Sequence, residues 1–440
     1  MNIGMTRRGL AGLLVLMVTA LLAACGGGGS GSGTSQVRML NATVGAASLD
    51  LYLTDVKLIS GVANNAVSAY QSTGAATYLA KATLTGSTTA YGTSANPALV
   101  KDTSYTVVTW GSAGENVQTF YFPDNEVAPL IAGNAKIRLF NTSVDAGALD
   151  LYLTGPTDDL TNLSPVASAI SGGRFSSYSE LASGTYRLRV TAVGNKTDIR
   201  LDLPAVTLNA QDIMTFITQP SQGGTLVNGL ELLQQGAATT AINSQPQARM
   251  RMVASVGSSG AITADVGGTS LNMVSGAVVN SLSSPQIGDY VSVPSGAQIV
   301  TVNGNALANA QTLTVGGDYT LLVYGTLAAP QVSLISDDNR LSVNGYNAKL
   351  RLVNGLTSQG TLSMNFNFDA VANNLAAGSA SAYSDVLGGA ARIDVNSSTA
   401  STSLFSTVNT NLAIPAQSVY TMFMLNGGAG SSGYLLHRER

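Results

Sequence analysis

The sequence contains little of what most active sites and nucleic-acid-binding surfaces require. Of its 440 residues only 10% are charged, and it has one cysteine, one histidine and one tryptophan. A single cysteine excludes a disulfide within the chain and any metal site with several cysteine ligands. The single histidine, His437, lies close to the C-terminus, which argues against histidine-based catalysis. With 21 lysines and arginines against 24 aspartates and glutamates, there is no basic excess for binding nucleic acid.

What the chain does contain indicates a folded protein with a polar but weakly charged surface. Hydrophobic residues make up 45% of the sequence, which is too much for a disordered chain. At ~100–200 residues per domain, the length predicts two to four domains. No residue pattern calls for a metal or another cofactor, so none is expected.

Residues 1–24 have the organisation of a secretory signal peptide. Arg7 and Arg8 provide a positive start, and Leu10–Leu22 is a largely apolar run of 13 residues. A helix that spans a bilayer needs about 20 residues, so this run is too short to remain as a membrane span. The string from Thr6 to Leu10 loosely matches a twin-arginine signal, whereas the strongly apolar run favours ordinary Sec export. Both routes stay open.

The only cysteine follows this signal directly. Leu22-Ala23-Ala24-Cys25 resembles the lipobox of bacterial lipoproteins, which implies cleavage before Cys25 and acyl chains that anchor it in a membrane. Gly26 rather than an aspartate follows the cysteine, and this resemblance favours the outer membrane of a Gram-negative bacterium, facing the periplasm or the surface. Residues 25–35, rich in glycine and serine, would form a flexible tether. The alternative is a chance cysteine beside an ordinary cleavage site.

Four segments of the remaining chain open with a similar strand, which indicates an internal repeat. The strands read VRMLNA, KIRLFN, ARMRMV and AKLRLVN, and they align Arg38, Arg138, Arg251 and Arg351. The arginines are separated by 100, 113 and 100 residues, close to the size of one β-sandwich. A Tyr-Thr pair follows 67 to 69 residues later in three copies, and IMTFIT stands there in the second copy. A tyrosine before a glycine turn also recurs, as Tyr70, Tyr178, Tyr290 and Tyr383.

The hydrophobic pattern within each repeat is that of strands. In KIRLF, Ile137 and Leu139 alternate with Lys136 and Arg138, and LDLYL at 49–53 and 149–153 alternates in the same way. We therefore predict an all-β chain of four tandem immunoglobulin-like antiparallel β-sandwich domains. Their predicted bounds are 36–132, 133–243, 244–345 and 346–440.

The order of these strings resembles the bacterial domain of unknown function 4397. The resemblance rests on the arginine strand, LDLYL, ASGTYRLRV at 182–190 and GGDYTLLVYG at 316–325. It is most evident in the first two copies and weaker in the last two. Members of that family often occur in tandem in exported and surface-attached proteins, so the resemblance implies a β-sandwich fold and an envelope location. It brings no catalytic residues to carry over.

The candidate binding residues are cations and aromatics. Lys136 and Arg138 project from one strand face, as do their counterparts Arg249 with Arg251 and Lys349 with Arg351. This stripe either binds anions or pairs across strands with outward acids such as Asp50, Asp150 and Asp265, and we favour the pairing. Trp110, Tyr52 and Tyr152 are the candidates for a platform that contacts a glycan. The recurring tyrosines, namely Tyr70, Tyr105, Tyr178, Tyr319 and Tyr420, are predicted to pack in the core or at corners.

Carboxylates give a weak case for catalysis. The adjacent pairs Asp158-Asp159 and Asp337-Asp338 are predicted to lie in turns, and the charged tail at 435–440 to be a solvated terminus. The favoured function is therefore a non-catalytic, lipid-anchored envelope scaffold or spacer of tandem modules. The alternatives are a carbohydrate-binding or adhesin-like surface protein and, from a different class, an Asp/Glu-dependent hydrolase. An envelope polysaccharide or protein is the expected partner besides the membrane.

Overall fold

The computed structural model describes residues 33–112, 117–234, 241–242, 247–257, 260–408, 410–427 and 432–440. The predicted signal peptide over 1–24, the predicted lipidation site Cys25 and most of the predicted tether over 25–35 lie outside the described residues. Within the described ranges the regular structure is β-strand, apart from a 3₁₀ turn at Val144–Ala146. No helix in this part of the chain is long and apolar enough to cross a bilayer. The prediction of an all-β chain is confirmed.

The strands divide into four consecutive units. Those of unit 1 are β1 (Thr34–Val44), β2 (Ser48–Leu53), β3 (Val56–Ala63), β4 (Gln71–Gly74), β5 (Ala80–Leu84), β6 (Ser104–Ser112) and β7 (Gln118–Pro123). Those of unit 2 are β8 (Asn134–Asn141), β9 (Leu149–Thr154), β10 (Ala167–Ile170), β11 (Arg174–Phe175), β12 (Ser179–Ala182), β13 (Gly184–Ala192), β14 (Asn195–Leu208), β15 (Ile213–Pro220), β16 (Val227–Leu233) and β17 (Ala241–Ile242).

The second half of the chain repeats this arrangement with shorter strands. Those of unit 3 are β18 (Gln247–Val256), β19 (Ala261–Ile262), β20 (Ala264–Val266), β21 (Thr269–Ser270), β22 (Met273–Val274), β23 (Ala277–Val278), β24 (Leu282–Ser283), β25 (Gln286–Ile287), β26 (Val291–Pro294), β27 (Gly296–Gln298), β28 (Val300–Val302), β29 (Asn305–Ala306), β30 (Gln311–Leu313), β31 (Asp318–Gly325) and β32 (Pro330–Asp337). Those of unit 4 are β33 (Asn347–Asn354), β34 (Leu362–Phe366), β35 (Asp369–Leu375), β36 (Ser379–Ala380), β37 (Ser384–Leu387), β38 (Gly389–Ala390), β39 (Ile393–Ser397), β40 (Phe405–Ser406), β41 (Ala413–Ile414), β42 (Val419–Asn426) and β43 (Ser432–Arg438).

Each unit contains a sheet built around one parallel pair of strands. The opening strand, which carries the repeated arginine, lies parallel to a late strand; the pairs are β1 with β6, β8 with β15, β18 with β31 and β33 with β42. The late strand then pairs antiparallel with the strand that follows it, namely β7, β16, β32 or β43. We call this sheet the front sheet. The sheets are otherwise antiparallel, as predicted. Period-two alternation marks a strand but not its direction, so this pair could not be recognised from the pattern.

A second sheet, the back sheet, covers the front sheet in each unit. It is built around β2, β9, β20 or β34, the strands that contain LDLYL or its counterparts. In unit 1, Val37 and Val107 of the front sheet meet Leu49 and Leu51 of the back sheet in one hydrophobic cluster. Corresponding clusters fill units 2, 3 and 4. Each unit is therefore a β-sandwich with its own core, while the exact outer bounds of the domains remain predictions.

The front sheets are buried on both faces. In β6, Tyr105 and Val107 point into the core of unit 1, whereas Val108 and Trp110 join Phe140 of unit 2 in a separate cluster. Units 3 and 4 share an equivalent cluster, to which Val253 and Phe423 belong. Burial on both faces is typical of parallel strands and explains why these strands read as nearly continuous apolar runs. The four sandwiches thus form two face-to-face pairs, pair 1–2 and pair 3–4.

The two pairs also touch one another. Gly223 N of unit 2 donates to Gly316 O of unit 3 at 2.9 Å, and Arg440 Nη1 of unit 4 donates to Gly224 O at 2.9 Å. Leu341 N, in the segment that joins units 3 and 4, donates to Asp145 Oδ1 of unit 2 at 2.9 Å. Unit 2 is therefore the unit against which the second pair rests.

Candidate functional site

The four repeated arginines lie at the interfaces inside the two pairs. Arg38, Arg251 and Arg351 are each 1% exposed, and Arg138 is half-buried. In every unit the arginine Nε donates to the threonine Oγ1 of the neighbouring parallel strand, at 2.8 to 3.1 Å; these threonines are Thr106, Thr215, Thr320 and Thr421. Three of them are the threonine of the repeated Tyr-Thr pair. The tyrosine faces the core of its own unit, and the threonine faces the interface.

A tyrosine ring covers each guanidinium group. The guanidinium carbons lie 4.4 to 4.8 Å from the ring centroids of Tyr70, Tyr178, Tyr290 and Tyr383. These are the tyrosines that recur before a glycine turn. Cation–π contacts of this kind favour the charged form of a desolvated arginine by about 1–2 kcal/mol. The prediction that Tyr70 and Tyr178 pack in the structure is correct, but they pack at an interface rather than in a unit's core.

The arginines of a pair reach across the interface reciprocally. In pair 3–4, Arg251 of unit 3 donates to Glu439 of unit 4 at 2.5 Å, and Arg351 of unit 4 donates to Asp337 of unit 3. In pair 1–2, Arg38 donates to Leu233 O of unit 2 at 2.9 Å, and Arg138 lies 4.9 Å from the ring of Phe122 in unit 1. In all four cases the arginine contacts the strand that follows the late strand of the partner unit, namely β7, β16 or β32, or the residue just beyond β43.

Asp337 shows how the interface keeps buried charges ionised. Burial alone would raise the pKa of Asp337, but Arg351 and Arg251 together with the hydroxyls of Thr320 and Tyr290 hold it below its ordinary value. Both hydroxyls donate to Asp337 Oδ2 at 2.6 Å. A buried carboxylate with two cations and two hydroxyl donors is well compensated, whereas removing one partner would leave an unpaired buried charge.

The prediction that the cation stripe pairs with Asp50, Asp150 and Asp265 is wrong. Asp50 binds Lys57 and Gly61 N, and Asp150 accepts hydrogen bonds from Ala169 N and Gly194 N, so both serve the back sheet. The second cation of each stripe binds elsewhere, in the pairs Lys136–Glu126, Arg249–Asp318 and Lys349–Asp338. The acids are not opposite the arginines because the two sets of residues belong to different sheets.

Trp110, Tyr52 and Tyr152 do not form a platform for a glycan. Trp110 is 7% exposed and lies at the interface of pair 1–2, where its ring meets Phe140 edge-on with 6.3 Å between centroids. Tyr152 is 2% exposed. Tyr52 is half-buried between Lys57 and Lys81, whose Nζ atoms lie 5.5 and 5.3 Å from its ring centroid. The three rings therefore offer no common exposed face.

The tyrosines that open the late strands pack as predicted in the units' cores. Tyr105 and Tyr319 are buried in the clusters of units 1 and 3, and Tyr420 is half-buried against the cluster of unit 4. Their hydroxyls also have partners: Tyr319 Oη accepts a hydrogen bond from Thr314 N at 2.8 Å, and Tyr105 Oη accepts one from Val100 N at 3.1 Å.

The two aspartate pairs have different roles. Asp158 and Asp159 accept hydrogen bonds from Gly155 N and Thr161 N, both at 2.8 Å, and so form turns as predicted. Asp337, in contrast, ends β32 and is buried at the interface, so its placement in a turn is wrong. Among the described residues no group of three or more histidine, cysteine, aspartate or glutamate side chains is arranged to hold a metal ion.

The charged tail is not a solvated terminus. β43 pairs along its length with β42 in the front sheet of unit 4, where His437 lies opposite Thr421. Burial lowers the pKa of His437, and Glu439 at 3.8 Å partly opposes this effect. The sequence pattern missed this strand because its charged residues at 437–440 resemble an ordinary polar end.

A cavity of about 560 Å³ lies where three parts of the molecule meet. Its walls come from the ends of β6 and β7 in unit 1, from residues around Asp145 and Arg174 in unit 2, and from the segment 341–345 with Gln417 of unit 4. Trp110 and Phe120 supply aromatic surface to it. Gly173 has a φ of +72°, a conformation that favours glycine, and a Cβ there would be in ordinary contact with the Trp110 ring at 3.6 Å.

The fold and the interfaces define a class of protein, namely tandem β-sandwiches joined through their arginine-bearing sheets. The chain belongs to the family described as "Domain of unknown function (DUF4397)", whose model matches residues 35–152 and 248–365, more than half of the sequence. Each match starts at the first unit of a pair and ends in β9 or β34 of the second unit. The resemblance inferred from the repeated strings is thereby confirmed.

Other comparisons add little to this. No curated protein matches the chain. Among solved structures it is similar to "The Bacillus anthracis TIE protein", with 8% identity and a TM-score of 0.14 over 66% of this chain, which spans only 50% of that structure. It is also similar to the major pilin subunit of Bacillus cereus, with 11% identity and a TM-score of 0.13 over 70% of this chain and 97% of the other. Similarities at these TM-scores do not support any inference about the fold or function of this chain.

Proposed function

We propose that this protein is a non-catalytic scaffold or spacer of the bacterial cell envelope, tethered to a membrane by acyl chains on Cys25. The proposal rests on the position of the repeated arginines in the structure. Arg38, Arg251 and Arg351, the most regular feature of the sequence, are buried where they fasten one sandwich to the next. A repeat whose distinctive residues serve contacts between modules suits a structural role.

The two face-to-face pairs would act as stiff bodies. Each pair is joined by a hydrophobic cluster of its own and by the reciprocal arginine contacts. The glycine- and serine-rich segment at 26–33 would separate these bodies from the bilayer, with a root-mean-square reach of ~17 Å for about ten residues. A stiff array on a flexible tether can keep a bound partner at a distance from the membrane, and the tether lets the array follow movements of that partner. The outer membrane of a Gram-negative bacterium is the proposed location.

Replacing Cys25 with alanine tests the anchor. The full-length protein should fractionate with membranes, because two or more acyl chains on one residue give stable attachment. The Cys25→Ala variant should move to the soluble periplasmic fraction, whereas Ser30→Ala in the tether should stay with the membranes. Membrane retention of Cys25→Ala would contradict a lipid anchor.

Distances between spin labels test the stiffness. Cys25 is the only cysteine, so pairs of labels can be introduced cleanly in the Cys25→Ala background. Labels at Val278 of unit 3 and Phe368 of unit 4, which are 72% and 75% exposed, should give one narrow distance distribution. Labels at Val278 and Ile299, both within unit 3, provide the control for label mobility. A distribution between units much broader than this control would contradict a rigid pair.

Carbohydrate binding is the second candidate function, and one observation favours it. The cavity beside Trp110 has both aromatic and polar walls, and it lies at a junction that only the assembled chain creates. Binding there is compatible with a scaffold role, because the cavity does not involve the arginine contacts.

A further inference from the structure

The cavity beside Trp110 combines aromatic surface with polar and charged side chains. Trp110 Nε1 is buried and has no hydrogen-bond acceptor among the described residues. Because this nitrogen has almost no accessible surface, a ligand in the cavity would contact the Trp110 ring rather than its N–H. The volume of about 560 Å³ falls within the ~300–1,000 Å³ that is usual for small-molecule sites.

Arg174 supplies a positive charge to the same cavity. Its side chain is exposed at the wall, and it forms an ion pair with no carboxylate in the described ranges. This sets it apart from the four repeat arginines, whose guanidinium groups lie against tyrosine rings. An arginine beside a cavity is well suited to a carboxylate, which it can bind through two parallel hydrogen bonds.

Three of the remaining polar groups are held in place by neighbours. Asp145, the carboxylate in the wall, accepts a hydrogen bond from Leu341 N at 2.9 Å. Gln417 Nε2 donates to Ser342 O and Asn344 O, both at 3.0 Å, which fixes the orientation of its amide. Gln118 Oε1 accepts a hydrogen bond from Thr93 Oγ1 at 3.1 Å, so the amide nitrogen of Gln118 remains available to donate to a ligand. The cavity thus offers both donors and acceptors that are already oriented.

We propose that this cavity binds a short saccharide that carries a carboxylate, such as a disaccharide of uronic acids. The apolar face of a sugar ring packs against Trp110 and Phe120, as amphipathic rings do on aromatic side chains. Hydroxyl groups both donate and accept, so they can form hydrogen bonds with the amides of Gln118 and Gln417. The carboxylate pairs with Arg174. This inference goes beyond the scaffold role and does not depend on it.

The only tryptophan of the chain reports on this cavity directly. Titrating residues 35–440 with digalacturonate should give a saturable change in tryptophan emission. Arg174→Gln, a change at an exposed side chain, should weaken this binding about tenfold or more. The matched control Lys81→Gln removes a cation beside Tyr52, away from the cavity, and should leave binding unchanged. Phe120→Ala removes an exposed aromatic ring from the cavity wall, and calorimetry should show weaker binding by this variant.

Several results would overturn the proposal. One is the absence of any saturable change with digalacturonate up to millimolar concentrations. A second is equal binding of digalacturonate by the wild type, Arg174→Gln and Phe120→Ala. A third is tighter binding of neutral cellobiose or of an acidic tripeptide than of digalacturonate, because the site would then select a different chemistry. Membrane fractionation of Cys25→Ala is independent of all three results, so failure here leaves the scaffold proposal intact.

Discussion

The reciprocal arginine contacts predict that Asp337 and its neighbour Asp338 differ sharply in their effect on stability. Asp337 is 2% exposed and binds Arg351, Tyr290 and Thr320. Asp338 binds Lys349 and Arg340, but its side chain is 41% exposed. Removing one partner of a buried ion pair costs about 3–5 kcal/mol, whereas an exposed pair contributes about 0–1 kcal/mol. Asp337→Ala should therefore destabilise pair 3–4 by about 3–5 kcal/mol, and Asp338→Ala by about 1 kcal/mol or less.

Urea unfolding of residues 35–440 followed by two probes measures this difference. Circular dichroism follows the strands of both pairs, while Trp110 fluorescence follows pair 1–2, in which the only tryptophan lies. Asp337→Ala should move part of the dichroism transition to lower urea and leave the fluorescence transition nearly in place. Equal losses for the two aspartate variants, or a loss below about 1 kcal/mol for Asp337→Ala, would refute the buried-pair reasoning.

The same aspartate gives a pH test with a definite sign. Its pKa in the folded protein is held below the ordinary value of 3.8, so its contribution is complete above that pH and is lost as the pH falls through the lower folded value. The difference in stability between the wild type and Asp337→Ala should therefore shrink in acid below about pH 4. A difference that stays constant into stronger acid would show that shape, not charge, accounts for the loss.

The remaining predictions concern the core tyrosines, the single histidine and the overall fold. Tyr319→Ala should cost about 3–5 kcal/mol in chemical denaturation, since it empties a buried aromatic site; a loss below about 1 kcal/mol would contradict its core position. Burial and the nearby Arg251 lower the pKa of His437 from 6.5, although Glu439 and Asp289 act in the opposite direction. The folded protein therefore binds this proton less readily than the unfolded chain, and stability should fall as the pH drops below about 6.5. His437→Gln should flatten that slope between about pH 7 and 5, and an unchanged slope would assign it to other groups. Circular dichroism of residues 35–440 should be dominated by β-structure, and a helical spectrum would contradict the fold.

The sequence was sufficient for the strands, the repeats and the core tyrosines because these depend on local pattern. Alternation places Ile137 and Leu139 on one face whatever the rest of the chain does. The partners of the arginines are different, because they are distant in sequence: Arg38 and Asp124 are 86 residues apart, and Arg251 and Glu439 are 188 apart. Charged residues are rarely buried unless paired, so an arginine alternating with apolar residues is naturally interpreted as facing solvent.

One signal in the sequence did point to the interface. A buried arginine must keep its hydrogen-bond partners, so arginine and partner are expected to recur together in every copy. A threonine follows the arginine by 68, 69 and 70 residues in units 1, 3 and 4 and by 77 residues in unit 2, and it accepts a hydrogen bond from the arginine in every unit. The cavity beside Trp110 left no such signal, since its walls come from three parts of the chain and are not repeated.

The structural unit of this protein is the pair rather than the single sandwich. The two family matches start at residues 35 and 248, an offset of 213 residues that also separates Arg38 from Arg251 and Arg138 from Arg351. Within each pair, the arginine of each unit contacts the other unit at the strand that follows its late strand, or just beyond that strand, which is the reciprocity expected of two copies related by a two-fold axis. A front face that fits a copy of itself explains why every unit can keep one apolar, arginine-bearing face: the other unit of its pair covers it.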